Sequence, residues 1–228
     1  MFPQHSFTPA RTMGAACRHA CVHTCARLPG CPVPLDHSDP QLVLAHLGRV
    51  WARSQDPTVQ QATLAALGNI ACDPCLNGSA ATTSTTGGAT SVAALLLAVC
   101  RDWAVEALTL HPTLAHVAVE ALRALRYVSA HHVPVGSRGS EGQVLLAPLV
   151  PLAVRSLELH VAVPALVSHA VHFFAHIMQR SPNALVAGVL DAAPAVMAAC
   201  AVHASHPAVL APCFAFFGEL SVVNIASS

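Results

Sequence analysis

Four segments of this chain align on a proline without gaps, and no other feature constrains the fold as strongly. They are "DPTVQQATLAALGNIA" from Asp56, "HPTLAHVAVEALRALR" from His111, "VPALVSHAVHFFAHIM" from Val163 and "HPAVLAPCFAFFGELS" from His206. Proline suits the first position of a helix, where its missing N–H is no loss and its fixed φ is already helical. Asp56 is expected to cap the first copy. Downstream, the same offsets are apolar in every copy: Val59, Leu114, Leu166 and Val209; Leu64, Val119, Val171 and Phe214; Leu67, Leu122, Phe174 and Phe217; Ile70, Leu125, Ile177 and Leu220. Ala66, Ala121, Phe173 and Phe216 form a fifth row. Counted from the first row these lie at steps of 5, 7, 8 and 11, which gather on one face of a helix and fit a strand poorly.

Another apolar segment precedes each proline-led helix: "LVLAHLGRVWAR" from Leu42, "SVAALLLAVCRDWAVEAL" from Ser91, "LLAPLVPLAVRSLELH" from Leu145 and "ALVAGVLDAAPAVMAACAVH" from Ala184. The unit reads as helix, turn, helix, and in the last copy "DAAPAVMAAC" reads as a short first helix followed by a second. The prolines are 55, 52 and 43 residues apart. Periods of about 40 to 47 residues belong to helical repeat proteins. The two longer intervals contain Gly/Ser/Thr-rich loops, "NGSAATTSTTGGATS" from Asn77 and "PVGSRGSEG" from Pro134. A unit of this kind cannot bury its apolar face alone and stacks on its neighbours. The expected fold is therefore all-α, a right-handed superhelical α-solenoid of about four units over residues 39–228. A flexible Cys/His-containing extension is expected over residues 1–38. Pro212, one turn inside the fourth helix, is expected to kink it or delay its start.

The unit resembles the armadillo repeat, with HEAT repeats as the nearest competitor. The likeness spans Pro40 to Val223 and rests on "AAPAVMAAC", "LLAPLVPLAV" and above all "ATLAALGNIACD". It implies a concave groove lined by the last helix of each unit, in which an Asn near the helix end clamps an extended peptide and a Trp one turn earlier stacks on it. Carried over position by position, the Asn row is Asn69, Ala124, His176 and Glu219. The Trp row is Ala65, Glu120, His172 and Ala215, and a row one turn earlier is Gln61, His116, Ser168 and Ala211. Only Asn69 matches, so a regular Asn ladder for basic import signals is not encoded. The groove implied by the resemblance is polar and His-rich: Gln61, Asn69, His116, Glu120, His172, His176 and Glu219. If its histidines touch a ligand, affinity is expected to change between about pH 5.5 and 7.5. "LGNIACD" is also similar to armadillo-type regulators of small GTPases.

Composition narrows the partners. The 11 basic residues, all Arg, balance 11 acidic ones, which leaves no electrostatic footprint for nucleic acid or anionic lipid. Ala192 to Gly218 carries no Asp, Glu, Lys or Arg and is long enough to span a membrane, but Pro194, His203, Ser205, His206, Pro207 and Pro212 interrupt it. Two packed helices explain it better. Nine scattered cysteines and no secretory signal suggest a reduced, cytoplasmic or nuclear protein. The arginines before Asp36 leave mitochondrial targeting as a lesser alternative.

Chemistry is thinly signalled. "CRHACVHTCARLPGC" holds Cys17, Cys21, Cys25 and Cys31 with His19 and His23, and "CDPC" adds Cys72 and Cys75. The first could bind zinc, but its spacing departs from knuckle-type pairs, and "CDPC" reads as a helix end stopped by Pro74. There is no nucleophile elbow, phosphate loop, dinucleotide fingerprint or H-E-x-x-H. The expectation is a non-enzymatic adaptor or scaffold without cofactor, binding a protein or extended peptide segment in the groove. A second docking surface is expected at the apolar C-terminal repeat. The alternatives are a small-GTPase regulator and a metal-binding protein.

Overall fold

The computed structural model describes residues 40–72, 92–131, 146, 148–180 and 186–226, and all regular structure among them is helical. In chain order the helices are α1 (Pro40–Arg53), α2 (Pro57–Ala71), α3 (Val92–Leu110), α4 (Ala115–His131), α5 (Leu149–Leu159), α6 (Pro164–Arg180), α7 (Val186–Leu190), α8 (Ala193–Val202) and α9 (Pro207–Ala226). The expected N-terminal extension, both Gly/Ser-rich loops and Cys75 lie outside the described residues.

The prolines act largely as expected. Pro57, Pro164 and Pro207 each open a helix, and Asp56 caps α2 by accepting the backbone N–H groups of Thr58 at 2.7 Å and Val59 at 3.4 Å. Pro112 does not open a helix. It sits in a turn closed by the His111 N–H donating to Ala107 O and the Leu114 N–H to His111 O, so α4 begins at Ala115. Pro212 does not delay α9, which starts at Pro207 and carries Pro212 inside it. The uncharged stretch from Ala192 is two helices, α8 and α9, parted by a turn at His203. No helix among the described residues is long and apolar enough to cross a membrane.

Packing follows chain order. Helix α2 lies chiefly against α4, α4 against α6, and α6 against α9, while α3 packs on α5 and α5 on α8. Three of the five apolar rows are buried in the first three copies: Leu67, Leu122 and Phe174; Ile70, Leu125 and Ile177; Ala66, Ala121 and Phe173. A row of small side chains not singled out from sequence, Thr63, Ala118, Ala170 and Cys213, is buried in all four. Small residues there let these helices approach their neighbours closely. Phe214 breaks its row, because its counterparts Leu64 and Val171 are fully buried whereas Phe214 is 65% exposed.

At the start of the fold, Trp51 of α1 and Trp103 of α3 stack with ring centroids 4.8 Å apart and planes 5° from parallel. The Trp51 indole N–H donates to Glu106 Oε2 at 2.6 Å. Nearby in sequence, Gln60 is fully buried, and neither its amide oxygen nor its nitrogen finds a partner. A buried amide left unpaired costs more than an apolar side chain of the same shape. Gln60→Met is therefore expected to stabilise the fold by about 1 kcal/mol, read as a higher urea midpoint at unchanged m-value.

Candidate functional site

Positions four, eight and twelve residues after the aligned prolines lie on the side of each helix turned away from the small-residue core row. The sequence-derived groove residues fall here. Gln61 and Asn69 on α2, Glu120 on α4, His172 and His176 on α6 and Glu219 on α9 are half-buried, and His116 is exposed. Ala124 alone among these positions is fully buried, because the α2 backbone at Gly68 closes over it. A Cβ built on Gly68 would stand 3.5 Å from Ala124 Cα.

Asn69 and Glu120 meet through a residue that sequence reasoning passed over. Arg123 donates from Nε to Glu120 Oε2 at 2.7 Å, from Nη1 to Asn69 Oδ1 at 2.9 Å and from Nη2 to Ala65 O at 2.8 Å. The planar fork of one guanidinium thus joins α4 to the last two turns of α2. It occupies the amide oxygen of Asn69 and neutralises Glu120. At the other end of the stripe, Glu219 is also engaged, accepting from the Gln179 amide at 2.8 Å.

Between α4 and α6, Arg126 and two histidines stand beside the stripe. The Arg126 guanidinium approaches His169 Nδ1 at 3.3 Å and lies 5.5 Å from the centroid of the Tyr127 ring. Burial, then repulsion from Arg126, Arg123 and His172, pushes the His169 pKa down to about 4. His169 is thus neutral at physiological pH, with Nδ1 free to accept from Arg126. His172 is also held below its ordinary range, mainly by burial and further by Arg126, against the opposing effect of its hydrogen bond to Ser168 O at 2.7 Å. That bond places the hydrogen of His172 on Nδ1, since a carbonyl only accepts.

These shifts fix the sign of a pH effect. The unfolded chain protonates His169 near pH 6.5, but the folded chain does so only near 4. Between those limits the unfolded state binds more protons, so stability falls as the solution is acidified and levels off below the folded pKa. His172 acts in the same direction. The urea midpoint is expected to drop between about pH 7 and pH 4.5 with a slope of at most about 1.4 kcal/mol per pH unit for each histidine. His169→Gln is expected to flatten that profile.

Two further histidines tie successive turns together. His160 Nε2 meets Pro112 O at 2.9 Å, and His203 Nε2 meets Val161 O at 2.7 Å. Both stand four residues before an aligned proline, a register that the alignment contained and the abundance of 15 histidines disguised.

Burial raises the pKa of Cys100, and burial with the neighbouring Cys200 thiol pushes Cys213 up to about 12, so both stay protonated. No group of three or more His, Cys, Asp or Glu among the described residues is placed to hold a metal ion. The Cys17 to Cys31 stretch lies outside those residues.

Fold and site together define an all-α protein with a polar stripe running across α2, α4, α6 and α9. No protein-family model, curated protein or solved structure matches the chain. The armadillo resemblance therefore rests on the residues quoted above and on no relative.

Proposed function

We propose that this chain is a non-catalytic adaptor or scaffold: an armadillo-like solenoid of about four units that holds an extended segment of a partner protein along its polar stripe. The observation that carries the reading is the order of packing. Helices α2, α4, α6 and α9 lie side by side in sequence, and the same three positions of each, Ala124 excepted, are at least partly exposed. An extended chain running across such helices can meet donors and acceptors repeated at each one, which suits recognition of a peptide backbone.

The hydrogen bonds refine which residues would do the binding. Asn69, Glu120 and Glu219 already have protein partners, so they shape the groove and leave fewer groups for a ligand. Gln61 and His116 are the better test, because His116 is exposed and Gln61 half-buried on the outward face. Burial lowers the His172 pKa, so any pH dependence it lends to binding falls at more acid pH than a fully exposed histidine would give.

The test is to pan a library of unstructured peptide segments on the 228-residue chain and titrate the selected peptide calorimetrically. Gln61→Ala combined with His116→Ala is expected to weaken that peptide at least about tenfold while leaving the helical circular dichroism unchanged. Failure to select any segment, or equal affinity for the double variant, would remove the groove from consideration.

A further inference from the structure

Arg126 of α4 is half-buried beside α6, and among the described residues no carboxylate pairs with it. Glu120, the only acid of α4, is committed to Arg123, and Glu219 lies on α9, beyond α6, where Gln179 holds it. The guanidinium is nonetheless fixed in place. Its Nη1 approaches His169 Nδ1 at 3.3 Å, and its carbon lies 5.5 Å from the Tyr127 ring centroid. The Nε and Nη2 donors have no partner among the described residues and are not among the buried orphan groups, so they reach solvent. The charges that act on His169 come from Arg126, Arg123 and His172, all repulsive, and Arg126 repels His172 in turn. A partly desolvated cation without a counter-charge is costly, and an incoming anion relieves that cost.

We propose that Arg126 forms an anion subsite between α4 and α6 that takes the side-chain carboxylate of an Asp or Glu in the bound partner segment. The inference rests on the peptide-binding reading of the preceding section and adds to it the chemistry of one partner residue. The subsite adjoins the stripe at His172, so an extended segment crossing from α4 to α6 passes it. Charge selects a carboxylate over a phosphate. Near neutral pH His169 and His172 are uncharged and Arg123 is balanced by Glu120, which leaves one net positive charge for the ligand. A carboxylate brings one negative charge and two oxygens, a match for the parallel Nε and Nη2 donors of a guanidinium. A phosphate dianion would be only half neutralised. The Tyr127 ring beneath the guanidinium holds the fork before the ligand arrives, so less freedom is lost on binding.

The test pans one library of unstructured peptides on the 228-residue chain as wild type, Arg126→Gln and Arg126→Glu. Selected peptides are then synthesised with amidated C-termini and titrated calorimetrically. The wild type is expected to select segments with Asp or Glu at one fixed position, and Asn or Gln there is expected to weaken binding at least about tenfold. On Arg126→Gln the same replacement is expected to change affinity by less than about twofold. Arg126→Glu is expected to select Arg or Lys at that position instead. A variant that had merely loosened the fold would not exchange one charge preference for the other. Both variants are expected to keep the wild-type circular dichroism, since Arg126 makes no ion pair among the described residues. Should Arg126→Glu fail to fold, Arg126→Gln decides. Segments that depend on Gln61 and His116 but carry no fixed acid, or whose acid is indifferent to Arg126→Gln, would overturn the subsite and leave the peptide groove standing. Binding that is lost on amidation would overturn it too, because the anion would then be a chain terminus. If no segment is selected, groove and subsite fall together.

Discussion

Phe174→Ala is expected to lower the free energy of unfolding by about 4 kcal/mol, measured by urea denaturation at unchanged m-value. The ring is fully buried, with Phe173 at 5.9 Å and Phe216 at 6.2 Å between centroids, at the contact of α6 with α9. Truncation there removes apolar burial and leaves a cavity that two aromatic neighbours cannot collapse to fill. The control is Phe214→Ala in dilute solution. It deletes the same ring from the same sequence pattern, but from a position that is 65% exposed. A change within about 0.5 kcal/mol is expected. Equal costs at the two sites would mean that α9 packs through a different face from the one described.

Arg123→Met is expected to cost about 2 kcal/mol, the second large effect. The methionine preserves much of the apolar stem, so the loss isolates the three hydrogen bonds to Glu120, Asn69 and Ala65 O. Side chains of Arg123 and Glu120 are 22% and 20% exposed, which shields the pair from full solvent screening. Arg123→Lys is expected to recover only part of the stability, because an ammonium lacks the planar fork that reaches three acceptors at once. A double-mutant cycle with Asn69→Ala gives the direct measure, and a coupling of about 1 kcal/mol is expected. Additive effects would show that Arg123 works through Glu120 and Ala65 alone.

Helix positions were legible in the sequence because they rest on local chemistry. An aspartate before a proline and apolar residues at helical spacing require no knowledge of neighbours. What escaped depends on the neighbour. Phe214 occupies a core row by pattern, yet no neighbour covers it among the described residues and it stands 65% exposed where Leu64 and Val171 are fully buried. Pro112 has the same local signal as Pro57, but backbone hydrogen bonds at His111 and Leu114 hold it in a turn. Arg123 is absent from every row that a periodicity search selects, since it works by the length of its side chain, reaching residues 54 and 58 positions earlier. For the candidate site, the sequence placed Asn69 and Glu120 on one face but could not reveal that the same arginine holds both.

The turn histidines carry a consequence for how the molecule comes apart. His160 and His203 reach carbonyls 48 and 42 residues earlier in the chain, so each fastens a helix pair to the pair before it. An interior pair must therefore break attachments on two sides before it can open, whereas among the described residues α1 packs only on later helices and α9 only on earlier ones. Amide hydrogens of α1 and α9 are expected to exchange before those of α4 and α6. Opening would then travel inward through the described stack, like plates lifted away one at a time.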